Sequence, residues 1–326
     1  MNNNAFFHHC HCHNRLRVVI CFSLLALLTI TSCGPDAFKP DLSDTPTSGN
    51  LNVSLDESFK PLMDAQCATF MALYKNAKVN LNYKTETEAI NDLMNDSCKV
   101  IVIGHELTQD QLNYFASKKV LSKTVKVAVD AIALIVNNDN PDSMLTYGQV
   151  SQMINGSVLK WDVISKENKL GDIKIVFDKT GSSNARYLND KFLQGKKFPD
   201  NCFALKSNED VINYVNTNKN SVGIIGVSWI SDSDDTTSMS FLQRVKVVAV
   251  KNETSEEFTD YYKPYQAYIA LKQYPLTRDV FLINRQSRNG LGTGFASFVA
   301  GDQGQRLVRL KGLLPATMPV RIIKTN

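Results

Sequence analysis

The sequence predicts an α/β fold of two ordinary-sized lobes, each a mixed, mainly parallel sheet flanked by helices. Three observations carry this. Apolar residues alternate between a period of two and a period near 3.6 along most of the chain. Capping patterns mark where helices open. The length of 326 residues exceeds what one hydrophobic core usually organises.

The chain opens on a processing segment, residues 1–32. Arg15 and Arg17 form a short positive region, and Val18 to Ile30 is apolar. A bilayer span needs about 20 such residues, so this stretch is short for one. It runs into Leu28-Thr-Ile-Thr-Ser-Cys33, which resembles a lipobox. That implies cleavage before Cys33 and a lipid anchor on it, each buried CH₂ adding about 0.8 kcal/mol of membrane affinity. The alternatives are an ordinary signal peptide with a chance Cys, or a single spanning anchor. His8, His9, Cys10, His11, Cys12 and His13 look like a metal tract but precede the cut, so no metal and no cofactor is expected. Residues 33–50 are rich in Pro, Asp, Ser, Thr and Gly and read as a flexible tether.

Leu51, Val53 and Leu55 alternate as a strand, and Phe59, Leu62, Met63, Phe70 and Leu73 follow helical spacing. Val79, Leu81 and Tyr83 form a strand, then Ala89, Ile90, Leu93 and Met94 a helical face. Val100 to Ile103 is a short buried strand. Thr108-x-x-Gln111 opens a helix, Val125 to Val136 is a long β-rich run, and Thr146-x-x-Gln149 opens another helix. Ile173 to Phe177 is a strand, residues 178 to 184 a polar loop, and a helix starts near Ser183. Ser207-x-x-Asp210 opens a further helix. Val222 to Val227 and Val245 to Val250 read as strands, with residues 231 to 240 an exposed loop between them. Phe295 to Phe298 and Gln303 to Leu310 are helical. Gly312 fits a C-cap, and Pro315 stops the chain.

Composition excludes some function classes. A net charge of +4 with no long basic run argues against nucleic acid. Past the cut His105 is the last histidine, which weakens any Ser-His or multi-histidine metal mechanism. Cys67, Cys98 and Cys202 allow at most one disulfide, and otherwise serve as small buried hydrophobes.

Two loops offer donors for a small oxyanion. One contains Asp56, Ser58 and Phe59; the other contains Gly181, Ser182, Ser183 and Asn184. A strand, a small polar loop and a helix start present free N–H groups and hydroxyls. Ordinary N-capping uses the same residues, so both readings stand. The second loop is neither a P-loop nor a nucleophile elbow. Arg186, three residues after Ser183, either turns to the same anion as a forked donor or lies on a solvated face. His105, Glu86 and Thr87 follow strands and stand at cleft positions or merely at strand ends.

Several stretches in order along the chain resemble a known family. They are Val53-Ser-Leu-Asp-Glu-Ser-Phe-Lys-Pro61, Val127 to Asn137, Leu145-Thr-Tyr-Gly-Gln-Val150 and Ile154-Asn-Gly156 with Trp161. Phe177 to Ser183 with Arg186-Tyr-Leu188, Val222 to Gly226, Tyr274-Pro-Leu-Thr-Arg278, Phe295 to Phe298 and Gly312 to Pro315 follow. Over about 51 to 323 the chain resembles the phosphate-binding component of bacterial phosphate ABC transporters. These are type II periplasmic binding proteins, and the likeness is strongest to divergent lipoprotein members of Bacteroidetes-type bacteria.

The resemblance implies two lobes joined by a hinge, 50–126 plus 253–326 and 127–252, with ligand between them. It implies a monomer that is not an enzyme, lipid-anchored outside the cytoplasm, passing phosphate or a related oxyanion to an ABC permease. Ser58 and Phe59 match the family's first anion loop, Ser182, Ser183 and Asn184 the second, and Thr87 lies near a phosphate-contacting Ser. Two departures bear on the ligand. The family's acidic acceptor aligns with Gly104, and its binding Arg with Asp178. Arg186 is the expected substitute for the cation, and His105 or Glu86 for the acceptor. Another oxyanion or a sensor role remains the alternative. A hydrolase using Ser182 or Ser183 lacks a base, because His105 stands alone.

Overall fold

A fifteen-residue β-rich run, alternating up to Asp130 and continuously apolar from Ala131 to Val136, gives the strand that organises the molecule. It is β4 (Lys123–Asn137), and it belongs to two sub-sheets at once. The computed structural model describes residues 44–231, 241–254, 260–286 and 288–318. The expected processing segment, Cys33 and the His/Cys tract lie outside the described residues, as does nearly all of the expected loop at 231–240.

The elements before β4 are β1 (Gly49–Asp56), α1 (Lys60–Leu73), β2 (Ala77–Lys84), α2 (Glu86–Met94), β3 (Val100–Ile103) and α3 (Gln109–Ser117). After it come β5 (Met144–Thr146), α4 (Tyr147–Ile154), α5 (Trp161–Ile164), β6 (Lys174–Phe177), α6 (Ser183–Leu188), β7 (Cys202–Ala204), α7 (Asn208–Thr217) and β8 (Ser221–Gly226). The last elements are β9 (Val245–Val247), β10 (Ala249–Lys251), β11 (Tyr261–Tyr262), α8 (Gln266–Ala270), β12 (Thr277–Asn284), α9 (Leu291–Ala300), α10 (Asp302–Leu310) and β13 (Leu314–Pro315).

The main sheet runs β2-β1-β3-β12-β4-β8-β6-β7, with β13 and β9 also on β4. Residues 123–131 of β4 pair with β12, and residues 132–136 pair with β8. One strand therefore spans two sub-sheets, the arrangement expected of two lobes. The outer strands are parallel, β1 to β2 and β3, and β6 to β7 and β8. The strands in the middle, β12 and β4, run antiparallel to their neighbours.

Capping sets the helix starts. Thr108 with Gln111 and Thr146 with Gln149 form the expected capping boxes, and Ser207 caps α7. A third box, Thr85 with Glu88, opens α2. Gly312 takes φ +80 just past α10, as a C-cap requires.

Two expectations change. Val245–Val250 is not one strand: β9 pairs with β4, whereas β10 joins β5 and β11 in a separate three-stranded sheet. The chain crosses over at Val248, whose N–H donates to Leu134 O. The last part of the expected tether is also built into the fold. Asp44 accepts from the first amide of α9, at Leu291, and from Gln286 Nε2, and β1 begins at Gly49.

One hydrophobic cluster extends from Leu55, Phe70 and Phe295 to Phe177, Val222 and Trp161. Smaller clusters lie under α7 and between α2, α3 and the first sub-sheet. Cys67 and Cys98 are buried, Cys202 half-buried, and all three are free thiols. No helix among the described residues is long and apolar enough to cross a membrane. At Gly304 an added Cβ would stand 2.3 Å from Phe298 O and 2.5 Å from Val299 O, so α10 meets the end of α9 backbone to backbone. Gly304→Ala is expected to cost about 1–3 kcal/mol by overpacking. Urea unfolding checks this, and an unchanged midpoint would mean the helices part freely.

Candidate anion-binding site

β1 and β6 end side by side in space, one in each sub-sheet, and each runs into a polar loop. In open α/β sheets ligands bind beyond such strand ends. Asp56 closes β1 and caps a 3-10 turn, Glu57–Phe59, by accepting from Ser58 N at 3.0 Å. Asp178 follows β6 and accepts from Ser182 Oγ at 2.6 Å, while Ser182 caps α6 through Ala185 N. Asp56, Ser58, Asp178, Ser182, Ser183 and Asn184 are all essentially fully buried.

The two loops bond directly to each other. Asp56 Oδ2 accepts from Ser183 N at 2.9 Å, and Asp56 Oδ1 from Ser183 Oγ at 2.8 Å. Ser58 Oγ lies 3.4 Å from both Asp178 Oδ2 and Ser183 Oγ. Trp229, in the turn after β8, donates Nε1 to Ser58 O at 3.1 Å. Glu57 Oε2 accepts from the N–H and the side chain of Asn208, the first residue of α7. Asn184 Nδ2 donates to Asn208 Oδ1, so Asn184 supports this network instead of facing the two serines.

Arg278 enters from β12. Its Nη1 donates to Ser183 Oγ at 3.0 Å, and its Nε and Nη2 to Asp130 Oδ2 at 3.0 and 2.8 Å. The guanidinium lies over the Phe59 ring, 4.8 Å from its centroid. Arg278 and Asp130 are direct cross-strand partners on β12 and β4, where β4 leaves one sub-sheet for the other. They form the floor beneath both loops.

A second group sits nearer solvent. Arg186 donates Nε to Glu86 Oε1 at 2.5 Å, Nη1 to Asp190 and Nη2 to Gly104 O. His105 Nε2 lies 3.4 Å from Glu86 Oε1. Thr87 donates its N–H and hydroxyl to Gly181 O. The Arg186 bonds to Glu86 and Gly104 and the Thr87 bonds to Gly181 join the first sub-sheet to the second.

The electrostatics divide the two groups. Burial first, then the charge of Glu86, raises the Asp56 carboxyl above its ordinary range, against the bonds from Ser58 and Ser183 and the charge of Arg278. Burial and the neighbouring Asp56 push Asp178 up to about 7. Burial also opposes ionisation of Glu86, but His105 and Arg186 outweigh it and hold that carboxyl at about 2. Burial pulls the His105 imidazole down, and Glu86 more than restores it. The inner group thus resists charge, whereas the outer group is a firmly ionised cluster.

The family model described as a PBP superfamily domain matches residues 43–303. The chain belongs to the PBP superfamily. This PBP-superfamily chain is 22% identical over 264 residues to the phosphate-binding protein PstS of Borreliella burgdorferi, covering 78% of this chain and 85% of that one. It is 22% identical over 328 residues to the same-named protein of Pseudomonas aeruginosa, covering 92% and 95%. Both are binding proteins by name, not enzymes. Among solved structures, a putative phosphate ABC transporter substrate-binding protein from Clostridium perfringens superposes with a TM-score of 0.68 at 19% identity, covering 82% of this chain and all of the other. An ABC-type phosphate transport receptor from Vibrio cholerae gives 0.60 at 20% identity, again over 82% and 100%. At these identities the structures establish the two-lobed α/β fold.

Of the residues singled out in the sequence, Asp56, Ser58, Phe59, Ser182 and Ser183 are brought together in one buried cluster. Thr87, His105, Gly181 and Arg186 line its mouth. Arg186 is corrected: it does not turn to the serines, because Glu86, Asp190 and Gly104 O occupy its donors. Arg278 is the cation that reaches Ser183. At Gly104 an added Cβ would press on Arg186 Nη2 at 3.1 Å and Glu86 Oε2 at 3.2 Å, so a side chain there requires these two to shift by a few tenths of an ångström. Glu86 fills that space from α2. The one readable signal was Asp130, the lone acid of β4, set between Val129 and the apolar stretch Ala131 to Val136.

Proposed function

We propose that this chain is an extracytoplasmic solute-binding lipoprotein, lipidated at Cys33, that carries phosphate to an ABC permease. Phosphate sits between a lobe of residues 50–126 plus 253–326 and a lobe of 127–252. The observation that carries this reading is the convergence on one point of Ser58, Ser183 and the Arg278 guanidinium, drawn from both sub-sheets. Hydroxyls, an amide and a forked cation form a donor set for a tetrahedral oxyanion. The names of the PstS relatives support the same ligand class. Lipidation at Cys33 would hold the site outside the cytoplasm, where a permease receives solute. A second reading, a sensor for an oxyanion, draws on the closeness with which the two loops already contact each other.

Calorimetric titration of phosphate into the detergent-solubilised chain, with sulfate as control, tests the reading. Saturable binding of phosphate with a Kd of about 1 µM or tighter, equivalent to roughly 8 kcal/mol, is expected, with sulfate inert. Equal binding of sulfate, or no heat with either anion and no thermal shift, would sink phosphate as the ligand.

A further inference from the structure

We infer that Asp56 is an intramolecular ligand: its carboxylate occupies the anion donors of the opposite lobe, closes the lobes without solute and must leave before an external anion enters. This rests on the reading of the cleft as an anion site. Both carboxylate oxygens are committed. Oδ1 takes Ser58 N and Ser183 Oγ, and Oδ2 takes Ser183 N. Those are the groups an oxyanion would use, and Asp56 is 0% exposed. Arg278 Nη1 completes the set by donating to the same Ser183 hydroxyl. Asp56 therefore has the contacts of a bound anion, tethered to the chain.

An external anion cannot simply join it. Asp178 lies against Ser58 and Ser182, and Glu86 packs beside Gly104 just outside. A further negative charge beside the ionised Glu86 and the Asp56 carboxylate meets strong repulsion in so dry a site. The incoming anion displaces Asp56 from Ser183 and inherits its donors. If the donors are free only about one-tenth of the time, apparent affinity falls about tenfold. Asp56 thereby sets both the resting conformation and the threshold concentration at which the protein responds.

Trp229 reports closure, because its indole N–H donates to Ser58 O and it is 6% exposed. The other tryptophan, Trp161, is fully buried and donates to Asn220 O, away from the cleft. The experiment compares wild type, Asp56→Ser and Asp56→Asn as full chains in detergent. Serine can still cap the Glu57–Phe59 turn but is too short to reach Ser183. Asparagine keeps the shape without the charge. Far-UV circular dichroism checks folding of each.

Without solute, acrylamide quenching of tryptophan emission should rise in Asp56→Ser and less so in Asp56→Asn. Phosphate should reverse it and should bind Asp56→Ser about tenfold more tightly than wild type. Unchanged quenching in a folded Asp56→Ser protein would show that the carboxylate serves only as a local turn cap, and the inference falls. Equal phosphate affinity in wild type and Asp56→Ser overturns the displacement step while leaving phosphate as ligand. Raised quenching with no phosphate binding in any variant supports Asp56 as the closing group and removes phosphate instead.

Discussion

Arg278→Ala is expected to destabilise the protein by about 3–5 kcal/mol, the usual result of stripping one partner from a buried ion pair. The side chains of Arg278 and Asp130 are 3% and 1% exposed. Losing the guanidinium leaves Asp130 charged or forces a proton onto it, and also removes the stack over Phe59, which adds about 1 kcal/mol. The double variant Arg278→Met with Asp130→Leu separates these effects. Replacing both members by apolar groups of similar volume is often neutral, so it should recover most of the loss. It should fold and yet bind no oxyanion, because nothing then donates to Ser183 Oγ from below. Urea unfolding of the wild type, Arg278→Met, Asp130→Leu and the double closes the cycle. A loss below about 1 kcal/mol for Arg278→Ala would mean that water, not the ion pair, satisfies Asp130.

Why Arg278 escapes a reading based on neighbours along the chain, while Arg186 attracts one, is a matter of range. Arg186 is one turn after Ser183, so local geometry alone places it beside the loop. Its true partner, Glu86, is 100 positions away, and no spacing rule reaches that far. The capping boxes at Thr108 and Thr146 are legible because a box closes within four residues. The strand β4 is legible as a strand, but not as a member of two sub-sheets, since an unbroken apolar run looks alike whether one sheet or two cover it. The split at Val248 is hidden for the same reason: every residue from Val247 to Val250 is apolar and buried, so no period marks the crossover. Asp56 was readable as a site residue. That it faces Ser183 as an acceptor, in the role of the anion, depends on a contact across 127 positions.

Asp178→Asn should flatten the pH dependence of stability that the inner carboxylates create. Asp178 is pushed up to about 7 by burial first and the charge of Asp56 next, from an ordinary 3.8. Between those values the folded protein holds a proton that the unfolded chain has released. Its stabilising contribution is therefore complete below about pH 4 and is lost as pH rises through 7. The interval of about 3 units corresponds to about 4 kcal/mol at most, and sharing of protons with Asp56 reduces what Asp178 alone contributes. Glu86 does not confuse the measurement, because its depressed value of about 2 makes its contribution constant above pH 5. His105, raised by Glu86 from its ordinary 6.5, shifts with the same sign as Asp178 but only above that value. Asparagine keeps an acceptor for Ser182 Oγ and removes only the titration of Asp178. The variant should gain about 1–3 kcal/mol over wild type at pH 8 and roughly a third of that at pH 5, and keep the parts of the slope that Asp56 and His105 contribute. Denaturant unfolding at both pH values decides it, and an identical slope in wild type and variant would show that Asp178 is ionised throughout. If the slope flattens as expected, the charge removed from Asp178 also makes Asp56 easier to ionise. The same substitution should then strengthen the hold of Asp56 on Ser183 and weaken competing phosphate at neutral pH.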